Sequence, residues 1–438
     1  MKRQRSGVSE SVAPAKRIKC KGLKDPSLQF IAAPTNTPII ECARAWFKAL
    51  KAPFEVHLGP IHGWRSIAKL AVRGTTASGQ RILKDQCIGL FLQGTHKITP
   101  CHDSPVHHPS INAAARLVES CCVAHCVSGY REDTSTGLLR YIILAVEMSS
   151  GKVQVTLVCN CDPQRTSQSD QVMISKLVQA LASEDALMHS IWVHSHPASR
   201  HDNAITGRLD NSWRCDFGDP HLRICMELSQ AEGAEAKIRP QLCFPPNVFR
   251  QANLAGFARI IDTIRRYIPA KSKVIELYGG VGTIGLNCLD RVKKLHCSDE
   301  NPYNVECFDA CVDDLVAATG KRKYRQRATY LNASASERAQ QGSFADYDLL
   351  IVDPPRKGLD DEVVVELLCP SLRVGQENRL QRLVYVSCGF KGFQNDCTRL
   401  LEGGRAWRLV HAEGHVLFPG SDHIETLAIF DRCRAGKK

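Results

Sequence analysis

Val274 to Leu286 reads VIELYGGVGTIGL, an apolar β-rich run, a glycine turn and the start of a helix. Val274 to Leu277 has the composition of a strand, and Gly279, Gly280 and Gly282 break it before helix-forming residues resume at Thr283. A strand that feeds a helix through such a turn is the opening unit of a parallel, doubly wound sheet. The glycines let the backbone approach a ligand, and the helix amino end favours polar or anionic groups. From this unit strands and helices alternate to the end of the chain. Strands are expected at Leu295–Ser298, Asp348–Val352 and Leu383–Ser387, with helices at Pro302–Ala317, Glu362–Leu368 and Phe393–Leu401. Two last strands, near Arg408–His411 and Thr426–Phe430, follow without a helix between them, which predicts an antiparallel closing hairpin.

Upstream of about Pro240 the pattern differs. Apolar residues recur at helical spacing from Ile39 to Leu50, then strands are expected at Lys69–Val72 and Cys87–Leu92. Ile111–Cys122 reads as a helix, Leu138–Val146 and Val153–Cys159 as a hairpin, Val172–Leu187 as a helix and Ile191–His194 as a strand. The fold class is therefore α/β: a doubly wound sheet in the carboxyl-terminal half, preceded by a smaller central α/β domain. The boundaries expected are 1–25 for a disordered tail, 26–240 for the amino-terminal and central domain, and 241–438 for the doubly wound domain.

Composition narrows the function classes. With 43% hydrophobic and 23% charged residues the chain is globular. The net charge is +12, and half of it lies in residues 1–25, where eight Lys or Arg face two acids. A basic excess favours a polyanionic partner, RNA or DNA. Lys2 and Arg3, then Lys16, Arg17 and Lys19, have the form of a bipartite nuclear-import signal; an RNA-binding arm or a solvated tail has the same composition, and an organelle presequence is a further alternative. No apolar run approaches a membrane span, and no secretory h-region follows the basic start. Twenty cysteines without such a leader fit free thiols in a reduced intracellular compartment, nucleus or cytoplasm. Cys121, Cys122 and Cys126, Cys159 and Cys161, and the histidines of CHDSPVHHPS (Cys101–Ser110) lack regular ligand spacing, so no metal is expected.

The chemistry sits in the carboxyl-terminal half. The spacing G-G-x-G-x-x-G could serve a dinucleotide, but Glu276 at the strand end favours S-adenosylmethionine. Asp299, ending the next strand, is placed to accept hydrogen bonds from a ribose diol; a surface acid after a strand has the same signature. DLLIVDPPRKGL (Asp348–Leu359) is an apolar strand ending in Asp353, then a loop that two prolines stiffen, with Arg356 and Lys357 suited to phosphates. VYVSC (Val384–Cys388) delivers a cysteine to the rim of the sheet, where a thiol can act as a nucleophile. VLFPGSDHIETLAIF (Val416–Phe430) sets His423 and Glu425 before the last strand.

In that order ELYGGVGT, DPPRKG, YVSC and FPGSDHIET resemble the RNA 5-methyluridine methyltransferase family, with FRQAN (Phe249–Asn253) similar to the family's glutamine motif. The resemblance covers about residues 240–430, more loosely the region before. It implies a class I methyltransferase sheet, S-adenosylmethionine as cofactor, and methylation of uridine C5 in tRNA or rRNA. Carried over, it gives Gln251, Tyr278, Asp299 and Asp353 as cofactor contacts, Cys388 as nucleophile and Glu425 as base. Three positions depart from the family: Gly389-Phe390 stands for Asn-Pro, Gly279 for a cysteine and Ser421 for a threonine. The family's iron–sulfur cysteines and amino-terminal RNA-binding barrel are not visible, so RNA grip is expected from the central domain and the tail, and from Lys321 to Arg327 unless that run is a solvated helix end. A methyltransferase for another RNA base, and a non-catalytic RNA-binding protein on the same scaffold, are the alternatives. A monomer is expected.

Overall fold

The computed structural model describes residues 26–433 except 75–86, 93–94, 96–97, 198–204, 207–211, 230–238, 343 and 403–405. Helix α1 (Pro38–Ala49) starts on a proline, which fits the first turn of a helix, and buries Ile40, Ala43 and Phe47 on one stripe. Strand β1 (Glu55–Leu58) follows. A central sheet is then built from β2 (Ile67–Arg73), β3 (Cys87–Phe91), β4 (Ile98–Pro100), β5 (Leu139–Val146), β6 (Val153–Cys159), β7 (Met188–Ser195) and β8 (Trp213–Gly218). Their order is β4-β3-β2-β5-β6-β7-β8. Helices α2 (Pro109–Ala124) and α3 (Gln168–Ala182) share a core with this sheet through Ile111, Val118, Leu177 and Leu181. The hairpin β5–β6 forms as the sequence indicates, and α3 carries the chain from β6 to a parallel β7.

After a ribbon of β9 (Leu222–Cys225) and β10 (Gln241–Phe244), the carboxyl-terminal half begins with α4 (Leu254–Tyr267). Then come β11 (Lys273–Leu277), α5 (Thr283–Leu286), β12 (Lys294–Asp299), α6 (Tyr303–Thr319), α7 (Lys323–Arg327) and β13 (Ala328–Asn332). The chain continues through α8 (Ala335–Gln340), β14 (Leu349–Val352), α9 (Asp361–Leu368), β15 (Arg382–Ser387) and α10 (Phe390–Glu402). The hairpin of β16 (Trp407–Val416) and β17 (Glu425–Arg432) closes it. The sheet order is β1-β16-β17-β15-β14-β11-β12-β13. β13, β12, β11, β14 and β15 are parallel, and β17 enters antiparallel between β15 and β16, as the missing last helix implies.

Both faces of this sheet are buried, and the alternation of side chains decides which core each residue enters. Val274, Leu349, Ile351, Val384 and Val386 face α4 and α6. Their neighbours Ile275, Leu350, Val352, Leu383 and Tyr385 face α1, α9 and α10. Strand order runs outward from β11 to β12 and β13 on one side and from β14 to β15 on the other. The reversal between β11 and β14 opens a crevice at their carboxyl ends, the general ligand position of such sheets.

Packing does not follow the expected boundary at 240. β1 pairs in parallel with β16 (Val56 with Gly414, Leu58 with Val416), and α1 packs against Phe390 and Phe393 of α10. The ribbon residues Leu222, Ile224 and Leu242 share a core with Phe308 and Cys311 of α6. The amino-terminal segment is therefore built into the carboxyl-terminal half, and the ribbon packs mainly there, with Ala145 of β5 in the same core. The basic run at 321–327 is partly engaged in structure: Arg325 pairs with Asp309 and Asp313, and Arg327 donates to the carbonyls of Leu289 and Lys293. The tail 1–25, with its two basic clusters, lies outside the described residues.

Candidate active site

The glycine turn after β11 is held from below. Glu276 is almost fully buried, and its Oε2 accepts the N–H of Gly285 at 3.1 Å. A side chain at Gly285 would strike Glu276 and Leu295, and one at Gly279 would strike the sulfur of Cys297. Hence the turn carries glycine where the family's common cysteine would stand: the Cys297 thiol already fills that space. Tyr278 and Gly280 adopt left-handed backbone angles, with φ of 54° and 53°, and nothing lies within 4 Å of a side chain built on Gly280, so that face of the turn is open.

Asp299, at the end of β12, ties the turn from the side. Its Oδ2 accepts from Gly280 N–H at 3.0 Å and its Oδ1 from Asn301 N–H at 2.9 Å. Tyr278 donates to Asp360 Oδ2 at 2.9 Å, and Asp360 N–H donates back to the phenol oxygen at 3.1 Å. That exchange joins the glycine turn to the loop after β14. The loop is anchored a second time by buried Asp396 of α10, whose Oδ2 accepts from Leu359 N–H at 2.8 Å and from Tyr385 at 2.6 Å. Gln251 enters from the segment before α4. Its neighbours fix it: Arg250 donates to the carbonyls of Val146 and Ser66 in the central domain, while Asn253 caps α4 and donates to Leu417 O at 2.9 Å.

Cys388 follows the last residue of β15, and Glu425 is the first of β17. The antiparallel register ends with Ser387 paired to Thr426, which brings Cys388 and Glu425, the adjacent residue in each segment, into one cavity where the carboxyl acts on the thiol. Gly389 packs on the backbone of Arg356, where any side chain would collide. That contact explains why glycine follows the cysteine here, and Phe390 replaces the family's proline as a buried anchor of α10. Ser421 keeps the hydroxyl of the usual threonine, donating to Phe418 O at 2.9 Å.

Gln251, Tyr278, Asp299, Asp353, Cys388 and Glu425 all line one cavity of about 550 Å³. Its electrostatics are acidic and strained. Burial raises Glu276 and Asp353 each to about 7, with Asp353 adding to the shift of Glu276 against the Gly285 hydrogen bond. Burial, then Asp353, push Glu425 well above the usual carboxylate range while Arg356 opposes them. Its Oε1 is buried with no hydrogen-bond partner. Burial, Glu425 and Asp353 push the Cys388 thiol up to about 11, and Arg356 pulls it down. Buried carboxyls crowded together resist ionising unless a cation arrives. A sulfonium bearing an amino acid and an adenosine suits this donor set: raised carboxyls for the positive charge, an open glycine turn, and a strand-end aspartate for a diol.

Arg356 was read from the sequence only as a phosphate partner, and Phe249 and Phe418, which also line the cavity, were not singled out. Phe249 had one signal, an aromatic inside the FRQAN motif; it is 70% exposed. His423 is part-buried, and burial with Arg356 and Arg65 holds its pKa down. The loop histidines have structural roles: His107 bonds Asn112, and His108 caps α2 through Ser110 N–H. Among the described residues no cluster of three His, Cys, Asp or Glu is arranged to hold a metal ion.

An RNA methyltransferase of Protochlamydia amoebophila, itself uncharacterised, is 33% identical over 92% of this chain and 94% of its own length. The chain belongs to the RNA methyltransferase family. A second such RNA methyltransferase, from Geobacter sulfurreducens, is 24% identical over 87% of this chain and 67% of its own. No family model matches the chain. Among solved structures, the tRNA (uracil-54, C5)-methyltransferase of Pyrococcus abyssi in complex with S-adenosyl-L-homocysteine superposes with a TM-score of 0.63. It is 21% identical and covers 88% of this chain and 81% of that one. The fold of this RNA methyltransferase is thus that of the class I, S-adenosylmethionine-dependent enzymes, in agreement with the 5-methyluridine family recognised in the motif order. Among its described residues no helix is long and apolar enough to cross a membrane. The relatives named here are bacterial, which lends the nuclear-import reading of the tail no support.

Proposed function

We propose that this RNA methyltransferase transfers a methyl group from S-adenosylmethionine to C5 of a uridine in tRNA or rRNA, through a covalent bond between Cys388 and C6. The observation that carries the reading is that Cys388 and Glu425, whose buried Oε1 lacks a partner, flank the paired Ser387 and Thr426 and line the same cavity as the glycine turn. When bound, the cofactor supplies an electrophilic methyl group. Gln251, Tyr278, Asp299 and Asp353 are the residues assigned to hold it.

Uracil C5 is too weak a nucleophile to take that methyl unaided. Cys388 first releases its thiol proton to solvent and attacks C6 as the thiolate: the Sγ–C6 bond forms and the C5=C6 electrons move toward C5 and O4 as an enolate. C5 then takes the methyl carbon, whose bond to sulfur breaks. Glu425 accepts the C5 proton, the electron pair restores C5=C6, and the Cys388 thiolate leaves. Glu425 suits this role because its raised affinity for protons makes its ionised form a stronger base than an exposed carboxylate. Arg356 opposes the burial and the two carboxyls that hold the Cys388 thiol protonated. The ring must be reached face-on, so the uridine enters unstacked.

Residues 241–438, with α1, β1 and the ribbon, carry the chemistry in this reading, and the central domain within 26–240 contacts RNA. The chain acts as a monomer, which light scattering checks. The function is tested by incubating the purified protein with cofactor and either bulk tRNA or rRNA transcripts, then digesting to nucleosides for mass spectrometry. 5-Methyluridine, lost in Cys388→Ser, supports the reading. Methylation on cytosine or on a purine, or cofactor and RNA binding without any methylation, overturns it in favour of another base or a non-catalytic role.

A further inference from the structure

Helix α10 begins just after Cys388, and one stripe of its residues lies against the loop that follows β14. Gly389, Gly392 and Asp396 recur at steps of three and four, and Phe393 N–H donates to Gly389 O at 3.0 Å, so the three share a helical face. A side chain at Gly389 would strike the backbone of Arg356, and one at Gly392 the backbone of Lys357 and Gly358. Gly358 has a left-handed backbone, with φ of 95°, and a side chain there would strike the carboxylate of Asp396. Helix and loop therefore meet backbone to backbone, with Asp396 at the end of the contact. Asp396 is buried, and among the described residues it forms no ion pair; Arg399, three residues on, pairs with Asp361 instead.

We propose that Asp396 is a positioning residue of the methyl-transfer site: through the loop 356–359 it fixes where Arg356 stands relative to Cys388, and so sets the reactivity of the thiol. The assignment rests on the reading of Cys388 as the nucleophile. A single oxygen, Oδ2, accepts both Leu359 N–H and Tyr385 O–H, at 2.8 and 2.6 Å. Those two bonds join three segments at one atom. Tyr385 lies three residues before Cys388 on β15, Asp396 eight residues after it on α10, and Leu359 three residues after Arg356. Cys388 and Arg356 line the same cavity, so the segments that Asp396 joins are the ones that carry the thiol and the cation beside it. A buried carboxyl is costly, and a helix that needed only to pack on a loop could use an apolar residue there. Tyr278 and Asp360 hold the far end of the same loop to the glycine turn, which leaves Arg356 little freedom once Asp396 is in place. Arg356 in turn lowers the proton affinity of both Cys388 and Glu425.

The test is a double-mutant cycle on the full chain, read as the rate at which iodoacetamide alkylates Cys388, with that peptide quantified by mass spectrometry. Asp396→Leu is expected to slow alkylation about 3- to 10-fold at every pH below 9, because a displaced cation leaves the thiol holding its proton more tightly. In the Arg356→Ala background the same substitution is expected to change the rate by less than about twofold. Asp396→Asn keeps an oxygen where Oδ2 stands, and it is expected to hold the rate within about twofold of the wild type. Equal slowing in both backgrounds, or slowing in neither, overturns the assignment and leaves Asp396 as a packing contact. Tyr385→Phe removes one of the two bonds and keeps the carboxyl, so the cycle stays readable if Asp396→Leu does not fold. It is expected to slow alkylation by a smaller factor, and only when Arg356 is present; an additive result overturns the proposal equally. Trapping of 5-fluorouridine in tRNA or rRNA fragments on Cys388 reads the nucleophile separately. If trapping succeeds while the cycle is additive, this assignment alone fails. If trapping is absent while the cycle shows coupling, the uridine reading fails and Asp396 still positions Arg356 at the thiol.

Discussion

Affinity for S-adenosylmethionine should fall steeply as pH drops below 7, while affinity for S-adenosylhomocysteine should change much less. The two ligands differ by one methyl group and the positive charge on sulfur. Burial raises Asp353 to about 7, so at pH 6 it keeps its proton in roughly nine of ten molecules and at pH 8 in roughly one of ten. A cation favours the ionised carboxylate, so binding below pH 7 must first expel that proton. The sign follows: affinity is full above 7 and is lost as pH falls through 7. For one carboxyl the ratio between pH 8 and pH 6 is about tenfold, or about 1.4 kcal/mol. Glu276, also raised to about 7, lines the same cavity; if both must ionise, the ratio approaches about a hundredfold. Isothermal titration of both ligands from pH 6 to 8 measures this directly, and Asp353→Asn should flatten the curve for S-adenosylmethionine. Equal pH slopes for the two ligands, or a flat profile for the cationic one, would refute the reasoning that these carboxyls face the sulfonium.

Three further outcomes follow from the same geometry. With Cys388 pushed up to about 11, its alkylation by iodoacetamide should rise about tenfold per pH unit from 6 to 9 without a plateau, and Arg356→Ala should slow it at every pH; a plateau near neutrality would show that the free site already holds a thiolate. Glu425→Gln should accumulate a covalent protein–RNA species, seen as a shifted band in denaturing gels, because the C5 proton then has no acceptor; turnover at the wild-type rate would remove Glu425 from the role of base. Gly389→Ala forces a side chain into the Arg356 backbone and should cost about 1–3 kcal/mol in denaturant unfolding along with most activity; an unchanged midpoint would mean that the loop after β14 moves freely.

The carboxyl-terminal half was legible because each signal is local. Val274 to Leu277, Leu349 to Val352 and Leu383 to Ser387 are short apolar runs bounded by glycine, proline or polar residues. Their carboxyl ends all fall at one rim once the sheet is parallel. The antiparallel hairpin β16–β17 was readable from the missing helix. Less legible were elements whose partners lie far away in the chain. Glu55–Leu58 has only four residues and little contrast, and it becomes a strand because β16 offers it an open edge. Helix α1 and strand β9 lie before the expected boundary at 240, and their apolar residues gave no indication that the carboxyl-terminal half would cover them. Spacing brought Cys388 and Glu425 near the same rim, but only the Ser387–Thr426 register brings them into one cavity. The raised carboxyls are a property of the folded site: burial, and for Glu276 and Glu425 the nearby Asp353, act between residues that three strands bring together from far apart in sequence.

The central claim is that Cys388 bonds to C6 of a uridine, and 5-fluorouridine tests it most directly, since fluorine cannot leave C5 as a proton does. The purified protein would be incubated with S-adenosylmethionine and tRNA or rRNA fragments carrying 5-fluorouridine, then digested for mass spectrometry. An RNA adduct on the peptide containing Cys388, absent in Cys388→Ala, is the expected result, and its sequence would identify the RNA. An adduct on another residue, or none while both ligands bind measurably, would contradict the claim.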